Sequence, residues 1–422
     1  MKTINKSKFI HRRYAYNGKT GYLAAHRVTG AKCLLEGTAA LFFKAAMGEQ
    51  SCINDGLADI ANTFNADGKR VCSDYDSFIR NFEGFLAKEG RAQDAPLLPL
   101  LAARGLIHQC MLELTHHCNL KCVHCYIGSR GNDKTPETSV LDNIEVVRAF
   151  LRRIGCVNLT VTGGEIGLVP NIFGILKKLS EDFVLTVMTN GIVWTECDYL
   201  KFKDIPINTV QVTLFSMNPA VHDSISGVAG SWKKVWSSIS AIRRLNIPLR
   251  ISTPVLKRNA ASVPELVKEL GKAGLQADID VKCFPQGHGT DCAASIPMVQ
   301  ELVRLGIAPK LQKSECTAIK HKVRIGPDGG VFPCEYLQDK LGSIFDGSTA
   351  AGILGSSPAN MLLNAVNNDI SSADCDGCAA RGKCFNCKAF NHAEHKSYLK
   401  PNSYICALNK LQYAPFQPEV IC

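Results

Sequence analysis

The sequence predicts an α/β protein: a partial (β/α)6 barrel with a winged-helix-like domain before it and a cysteine-rich domain after it. Strand-like apolar segments alternate with amphipathic helical segments across residues 111–283, at intervals of roughly 30 residues that are typical of parallel βα units. A hairpin signal and three amphipathic segments precede the barrel, and a group of spaced cysteines follows it. The predicted boundaries are 1–92 for the N-terminal domain, 93–110 for a linker, 111–300 for the barrel and 301–422 for the cysteine-rich domain.

Composition narrows the functional classes. The 422 residues are 46% hydrophobic and 20% charged, which is ordinary for a soluble globular protein. The first residues lack the apolar core of a signal peptide, and no stretch approaches the ~20 apolar residues of a membrane span, so we expect a cytoplasmic protein without a membrane partner. The net charge of +10 is not concentrated in a Lys/Arg run, which disfavours nucleic acid as a partner. The chain has nineteen cysteines, and in a protein that is not exported so many cysteines favour metal or redox chemistry over disulfides.

The N-terminal domain is predicted from a turn and three helices. Asn17-Gly18 accepts the positive φ values of a tight hairpin turn. Apolar residues at helical spacing predict helices at 34–46, 57–64 and 73–86. A hairpin followed by three short helices is the winged-helix outline.

Six strands are predicted for the barrel, joined by helices such as Val140 to Ile154 and Ser231 to Leu245. In parallel barrels the chemistry lies at the carboxyl ends of the strands. The predicted strands are 111–115, 156–162, 183–189, 209–215, 249–255 and 277–283.

Three cysteines directly follow the first barrel strand. Cys118, Cys122 and Cys125 are separated by three and then two residues. A purely structural 4Fe–4S cluster needs four ligands, so a set of three leaves one iron open. Zinc is the alternative, with His116, His117 or His124 completing the ligands.

The CxxxCxxC spacing after a first strand resembles the signature of the radical S-adenosylmethionine (SAM) enzymes. The resemblance implies that the open iron binds the methionine moiety of SAM and that reductive cleavage gives a 5′-deoxyadenosyl radical. It continues in the Thr-Gly-Gly-Glu turn at 162–165, the Thr-Asn-Gly turn at 189–191, and a serine-ended strand followed by Asn-Pro and His-Asp at 218–223. The SAM-binding residues that it implies are Gly163, Gly164, Glu165, Thr189, Asn190, Thr213, Ser216 and, on the fifth strand, Arg250.

The second cysteine set closely resembles the SPASM domain of peptide-modifying radical SAM enzymes. That resemblance implies two auxiliary 4Fe–4S clusters, although two residues rather than three separate Cys384 from Cys387. The first would use three cysteines, and its fourth ligand stays open among Cys292, His321, the substrate or none. A zinc ribbon is again the alternative. The implied ligands are Cys316, Cys334 and Cys387 for the first cluster, and Cys375, Cys378, Cys384 and Cys406 for the second.

Residues 35–39, 60–61 and 76–86 resemble the RiPP recognition element, a module of enzymes that modify ribosomally made peptides (RiPPs). The resemblance implies that a leader peptide adds as an extra strand on the hairpin edge. A generic helical cap on the barrel is the alternative.

Together the resemblances imply a radical SAM/SPASM peptide maturase that forms a thioether or carbon–carbon crosslink in a precursor peptide, with a flavodoxin- or ferredoxin-type reductant. Glu335 is the candidate for taking a proton from the substrate. Cys283 is the candidate hydrogen-atom donor, a role that would suit epimerisation. The alternatives are a sulfatase-maturase type enzyme that generates formylglycine and a non-enzymatic, metal-stabilised peptide-binding module.

Overall fold

A computed structural model describes residues 4–16, 18–48, 52–86, 97–127, 139–285, 294–307, 311, 316–367 and 375–413. They form a three-stranded and a nine-stranded sheet, with helices packed around both.

The N-terminal domain is an antiparallel sheet followed by three helices. Tyr16 pairs with Lys19, which confirms the predicted hairpin, and Gly18 has a φ of +69° in the turn; Asn17 lies outside the described residues. The helix predicted from residue 34 is wrong at its start, because Leu34 pairs with Leu23 in a third strand and the helix begins only after Glu36. The elements are β1 (Phe9–Tyr16), β2 (Lys19–His26), β3 (Lys32–Leu35), α1 (Gly37–Ala46), α2 (Ile53–Thr63) and α3 (Gly68–Leu86).

This small sheet is buried on both faces. Alternate residues of a strand point to opposite faces, so neighbours such as Phe9 and Ile10 serve different cores. Phe9 packs with the three helices, whereas Ile10 and Leu23 pack with Val157 and Val184 at the amino ends of two barrel strands. The N-terminal domain is therefore a layer of the barrel's own packing.

The predicted barrel is confirmed, with strand ends shifted by a few residues. Its strands are parallel and neighbours in chain order, so all their carboxyl ends lie at one edge. The strands are β4 (Gln109–Glu113), β5 (Asn158–Thr162), β6 (Val184–Thr189), β7 (Ile207–Thr213), β8 (Leu249–Pro254) and β9 (Ala277–Asp280). The helices are α4 (Leu98–Ala103), α5 (Ile144–Arg153), α6 (Ile172–Ser180), α7 (Glu196–Phe202), α8 (Pro219–Ser226), α9 (Ser231–Arg244), α10 (Lys257–Ala260), α11 (Val263–Lys272) and α12 (Val299–Arg304).

The C-terminal segment extends the same sheet, which the six-strand prediction missed. β10 (Lys322–Ile325) pairs in parallel with β4, and β11 (Gly330–Phe332) and β12 (Gly342–Ser343) follow it antiparallel. The physical reason is that β4 would otherwise expose an unpaired edge. The remaining helices are α13 (Ala350–Leu354), α14 (Ser357–Asn367), α15 (Lys388–His395) and α16 (Ser403–Tyr413).

Candidate active site

The loop that carries Cys118, Cys122 and Cys125 is held by the end of α8. The amides of Lys121 and Val123 donate to the carbonyls of Ser226 and Ile225, at 2.9 and 3.0 Å. Gly227 ends α8 with a φ of +71°, and a Cβ there would lie 2.8 Å from the Lys121 carbonyl oxygen. A glycine after α8 is thus required by the close approach of the cysteine loop.

The three thiols of this loop are close electrostatic neighbours. Burial raises the pKa of Cys122, and the proximity of Cys125 and Cys118 raises it further. Burial likewise raises the pKa of Cys118, against hydrogen bonds from the Leu120 amide and the Asn190 side chain. Thiolates at this position therefore need a positive centre beside them, and three soft sulfur donors on one loop fit an iron–sulfur cluster.

The Gly163-Gly164 turn packs on the backbone that leads to the cysteine loop. Gly163 has a φ of +142°, and a Cβ at either glycine would overlap a carbonyl oxygen, that of Thr115 or that of His117. The Gly164 amide donates to the Thr115 carbonyl at 2.6 Å. Both glycines also line the cavity described below.

Glu165, which the resemblance implies as a SAM-binding residue, is not among the residues that line the cavity. It is 1% exposed, and its Oε1 accepts from the Gly167 amide at 2.9 Å and the Thr189 hydroxyl at 2.6 Å. Its Oε2 accepts from the Asn190 amide at 2.7 Å. The carboxylate therefore joins the carboxyl ends of β5 and β6 and does not point into the cavity.

Asn190, which directly follows Thr189 at the end of β6, contacts the cysteine loop. The Asn190 side-chain amide donates to Asn119 Oδ1 at 2.8 Å and lies 3.7 Å from Cys118 Sγ. The Thr189 hydroxyl accepts from Trp194 Nε1 at 2.7 Å. Trp194 has a supporting role that the sequence analysis missed, because no local motif links it to Thr189.

The predicted residues of β7 and β8 divide into two groups. Thr213 lines the cavity, whereas Ser216 is fully buried, donates to the Ser262 hydroxyl at 2.9 Å and lies outside the cavity lining. Arg250 lines the cavity but forms an ion pair with Asp278 on β9. The structure thus brings Thr213 and Arg250 to the cavity and leaves Ser216 in the core.

A cavity of about 1720 Å³ runs through the barrel from the cysteine loop to the C-terminal segment. Small-ligand pockets are typically ~300–1,000 Å³, so this one has room for more than one small molecule. Cys283 lines it and is 6% exposed, packed near Phe215. Glu335 also lines it and pairs with Lys322 Nζ at 3.1 and 3.2 Å. The sequence analysis did not predict the contact of Lys322 with Glu335, because a lone lysine in a short strand forms no recognisable motif.

Several of the C-terminal cysteines are electrostatic neighbours of one another. Burial raises the pKa of Cys387 to about 12, and the proximity of Cys316 and Glu335 raises it further. Burial likewise raises the pKa of Cys334 to about 12, with added effects of Glu335 and Cys387. Burial raises the pKa of Cys406 to about 11, and its electrostatic neighbours include Cys375, Cys378 and Cys384.

The described residues, the cysteine loop included, contain no ready site for a single metal ion. Across them, no three His, Cys, Asp or Glu side chains are arranged to hold a single metal ion. Cys292 lies outside the described residues, and the ring of His321 packs 5.6 Å from that of His108, so the fourth ligand of the first predicted auxiliary cluster stays open.

Comparison with known proteins decides the family of the barrel. Residues 112–274 match the family described as the Radical SAM superfamily. These residues form a radical SAM domain. Such a domain implies one 4Fe–4S cluster and SAM, and Cys118, Cys122 and Cys125 with the adjoining cavity fit that pair.

The similarity to individual proteins covers more of this chain than the radical SAM domain does. The chain is 26% identical over 274 residues to "Sporulation killing factor maturation protein SkfB" and 28% identical over 302 residues to "Antilisterial bacteriocin subtilosin biosynthesis protein AlbA", both of Bacillus subtilis (strain 168). The alignments cover 60% and 65% of this chain but only 65% and 66% of those relatives. Streptococcus suis SuiB, in the structure "bound to precursor peptide SuiA", matches 96% of this chain and 100% of its own, with 14% identity and a TM-score of 0.66. At that identity the likeness shows the fold.

None of the described helices has both the length and the apolar character that a membrane-spanning segment needs.

Proposed function

We propose that this protein is a maturase that modifies a ribosomally made precursor peptide by radical SAM chemistry, forming a thioether or carbon–carbon crosslink. The observation that carries the proposal is one cavity that is lined both by the cysteine loop and by Glu335. In this proposal a peptide residue in that cavity is exposed both to the radical source and to the proton acceptor Glu335. The names of SkfB, AlbA and SuiB with SuiA support a peptide substrate.

The cluster at Cys118, Cys122 and Cys125 supplies, when bound, the electron that cleaves SAM. The residues around the cluster bind SAM and orient it. Gly163 and Gly164 bring backbone polar groups to the amino end of SAM. Thr213 and Arg250 provide a hydroxyl and a cation for its carboxylate, and Asn190 holds the cysteine loop to β6. Glu165 acts through Thr189 and Asn190 by fixing that turn.

In the same cavity Glu335 takes a proton from the substrate, and Lys322 orients its carboxylate. Aromatic rings lie beside Glu335: Tyr336, the next residue, lies 4.6 Å from Phe284 and 6.2 Å from Tyr126, measured between ring centroids. Cys283 lines the same cavity and serves as a hydrogen-atom donor if the reaction is epimerisation.

We also propose that the C-terminal cysteines would hold two auxiliary 4Fe–4S clusters, which would supply an acceptor for the electron left on the substrate. One uses Cys316, Cys334 and Cys387, and the other uses Cys375, Cys378, Cys384 and Cys406. The electrostatic effects of Cys387 on Cys334, of Cys316 on Cys387 and of the other three cysteines on Cys406 support these groupings. A flavodoxin- or ferredoxin-type protein is the proposed reductant.

The N-terminal domain, in this proposal, holds the leader of the precursor by strand addition at an edge of its three-stranded sheet. SuiB, whose structure was determined with a precursor peptide, is similar across 96% of this chain and so includes this region. That extent supports a leader-dependent maturase over a formylglycine-generating enzyme.

The proposal is tested by anaerobic assay of SAM cleavage with wild type and Cys122→Ala. We expect iron and sulfide in the purified wild-type protein, 5′-deoxyadenosine as product, and no product from Cys122→Ala. Zinc in place of iron, or equal cleavage by both proteins, would contradict the radical SAM assignment of this loop.

A further inference from the structure

A buried ion pair joins the barrel to the C-terminal segment. Glu113 is the last residue of β4, and Arg324 lies in β10 beside it. Arg324 Nη1 donates to Glu113 Oε2 at 2.9 Å, and the two side chains are 5% and 1% exposed. A buried pair is stable only when its remaining hydrogen-bonding groups are also satisfied. Its further partners therefore show what the pair holds.

The other N–H groups of Arg324 donate hydrogen bonds to one short segment. Nε donates to the Cys334 carbonyl at 3.2 Å, and Nη2 donates to Gln338 Oε1 at 2.9 Å and to the Leu337 carbonyl at 3.4 Å. The guanidinium also lies 3.9 Å from the centroid of the Phe332 ring. The segment 334–338 carries Cys334, Glu335 and Tyr336, so one planar fork fixes a cysteine and part of the cavity wall.

Glu113 makes the matching contacts on the other side. His116 Nε2 lies 3.1 Å from Glu113 Oε2, and the Tyr126 hydroxyl lies 3.4 Å from Oε1. His116 and Tyr126 flank the loop that carries Cys118, Cys122 and Cys125. The carboxylate thus holds both ends of the cysteine loop.

We infer that Glu113 and Arg324 are a positioning pair that sets segment 334–338 against the cysteine loop, and so fixes the two cysteine sites relative to each other. The inference rests on the proposed function only in treating these cysteines as cluster ligands. A lysine cannot replace Arg324, because a single ammonium does not reproduce a planar fork with separate donors toward Glu113, Cys334 and Gln338.

The test uses two variants and one control. Arg324→Lys keeps the charge and removes the fork. The double variant Glu113→Leu/Arg324→Met removes the pair without leaving a lone buried charge, so the fold tolerates it better than either single loss. Lys340→Met is the control, because Lys340 lies just after segment 334–338 and pairs with Asp328, but both side chains are 44% exposed.

The first readout needs no cluster. In protein stripped of metal, iodoacetamide labelling of Cys334 is followed by peptide mass spectrometry. Cys334 is 8% exposed, so we expect slow labelling in wild type and the control, and at least tenfold faster labelling in both variants. Labelling within twofold of wild type in both variants would overturn the inference.

The second readout is electron paramagnetic resonance of the anaerobically reconstituted, reduced full chain. We expect Arg324→Lys to keep the signal that added SAM perturbs and to lose or shift the signal that Cys334→Ala removes. An unchanged Cys334-dependent signal counts against the pair. A wild-type protein with no iron–sulfur signal contradicts the proposed function instead, and the labelling comparison then still decides the role of the pair.

Discussion

The carboxylate of Glu165 accepts a 2.6 Å hydrogen bond from the hydroxyl of Thr189, and this contact ties the carboxyl ends of two neighbouring barrel strands together. Burial raises the pKa of Glu165, while the bonds from Thr189, Asn190 and Gly167 lower it. The raised value means that the fold favours the protonated acid relative to the unfolded chain. Its contribution to stability is therefore full below the unfolded pKa and is lost as pH rises through the folded pKa.

Glu165→Gln should remove that pH dependence. We expect the metal-free variant to become more stable relative to metal-free wild type as pH rises from about 4.5 toward neutrality. The reason is that only wild type must ionise a buried acid, which lowers its free energy of unfolding. Denaturant titrations at several pH values measure it. A constant difference between the two proteins across that range would contradict the raised pKa.

Gly163→Ala and Gly164→Ala should displace the backbone at 115–117. The added Cβ overlaps a carbonyl oxygen in each case, so we expect a loss of roughly 2 kcal/mol or more in stability and at least tenfold weaker SAM binding. Gly84→Ala is the matched control, since nothing lies within 4 Å of a Cβ there and the residue is inside α3. That control should gain about 1 kcal/mol. Equal behaviour of all three variants would refute the argument from close approach.

Arg250 and Asp278 should have opposite effects on SAM. Arg250→Met removes the proposed cation for the SAM carboxylate, and charged hydrogen bonds contribute about 1.5–3 kcal/mol, or roughly 10- to 100-fold in Kd. Asp278→Asn frees Arg250 from its ion pair, so we expect tighter binding. Equilibrium binding of SAM to the reconstituted protein measures both. Effects of the same sign would mean that the pair is structural.

Variants at Glu335 and Cys283 distinguish crosslinking from epimerisation. For a crosslink, Glu335→Gln should slow peptide modification by about 10²–10⁴-fold with SAM cleavage retained, since it removes the proton acceptor, and Cys283→Ser should leave the product unchanged. For epimerisation, Cys283→Ser should abolish turnover. Product mass and solvent deuterium content separate the outcomes, and loss of SAM cleavage in Glu335→Gln would contradict a role limited to the substrate.

Arg12 should be essential for docking the N-terminal domain. It is 8% exposed and donates to the carbonyls of Cys156 at 2.8 Å and Asp182 at 2.5 Å. Arg12→Ala leaves both acceptors buried, so we expect a loss of about 2 kcal/mol, whereas exposed Arg13→Ala should change stability by less than about 0.5 kcal/mol. Thermal unfolding measures both.

That docking also changes how leader dependence is tested. Deleting the N-terminal domain would expose Val157 and Val184, so a truncated protein could lose activity by unfolding. Substitutions on the edge strands of its sheet, β1 and β3, leave Val157 and Val184 covered and so test leader binding without removing the domain.

The sequence was sufficient for the barrel because its signals are local. Cys118-x3-Cys122-x2-Cys125, Gly163-Gly164 and the strand periodicity each lie within a few residues. The sequence could not show that β10 joins β4, that Glu165 turns toward Thr189, or that Lys322 faces Glu335. Those relationships depend on chain segments far apart in sequence, and in each case the residue type alone fits a more ordinary surface or turn role.

The central claim is tested most directly by the intact mass of a candidate precursor peptide, encoded beside this gene, after anaerobic co-expression with wild type and with Cys122→Ala. The account predicts loss of two hydrogens per crosslink with wild type and none with the variant, and fragmentation then locates the bond. An unchanged mass without deuterium uptake from labelled water would exclude that peptide as substrate. The same loss of hydrogens with Cys122→Ala would contradict the account.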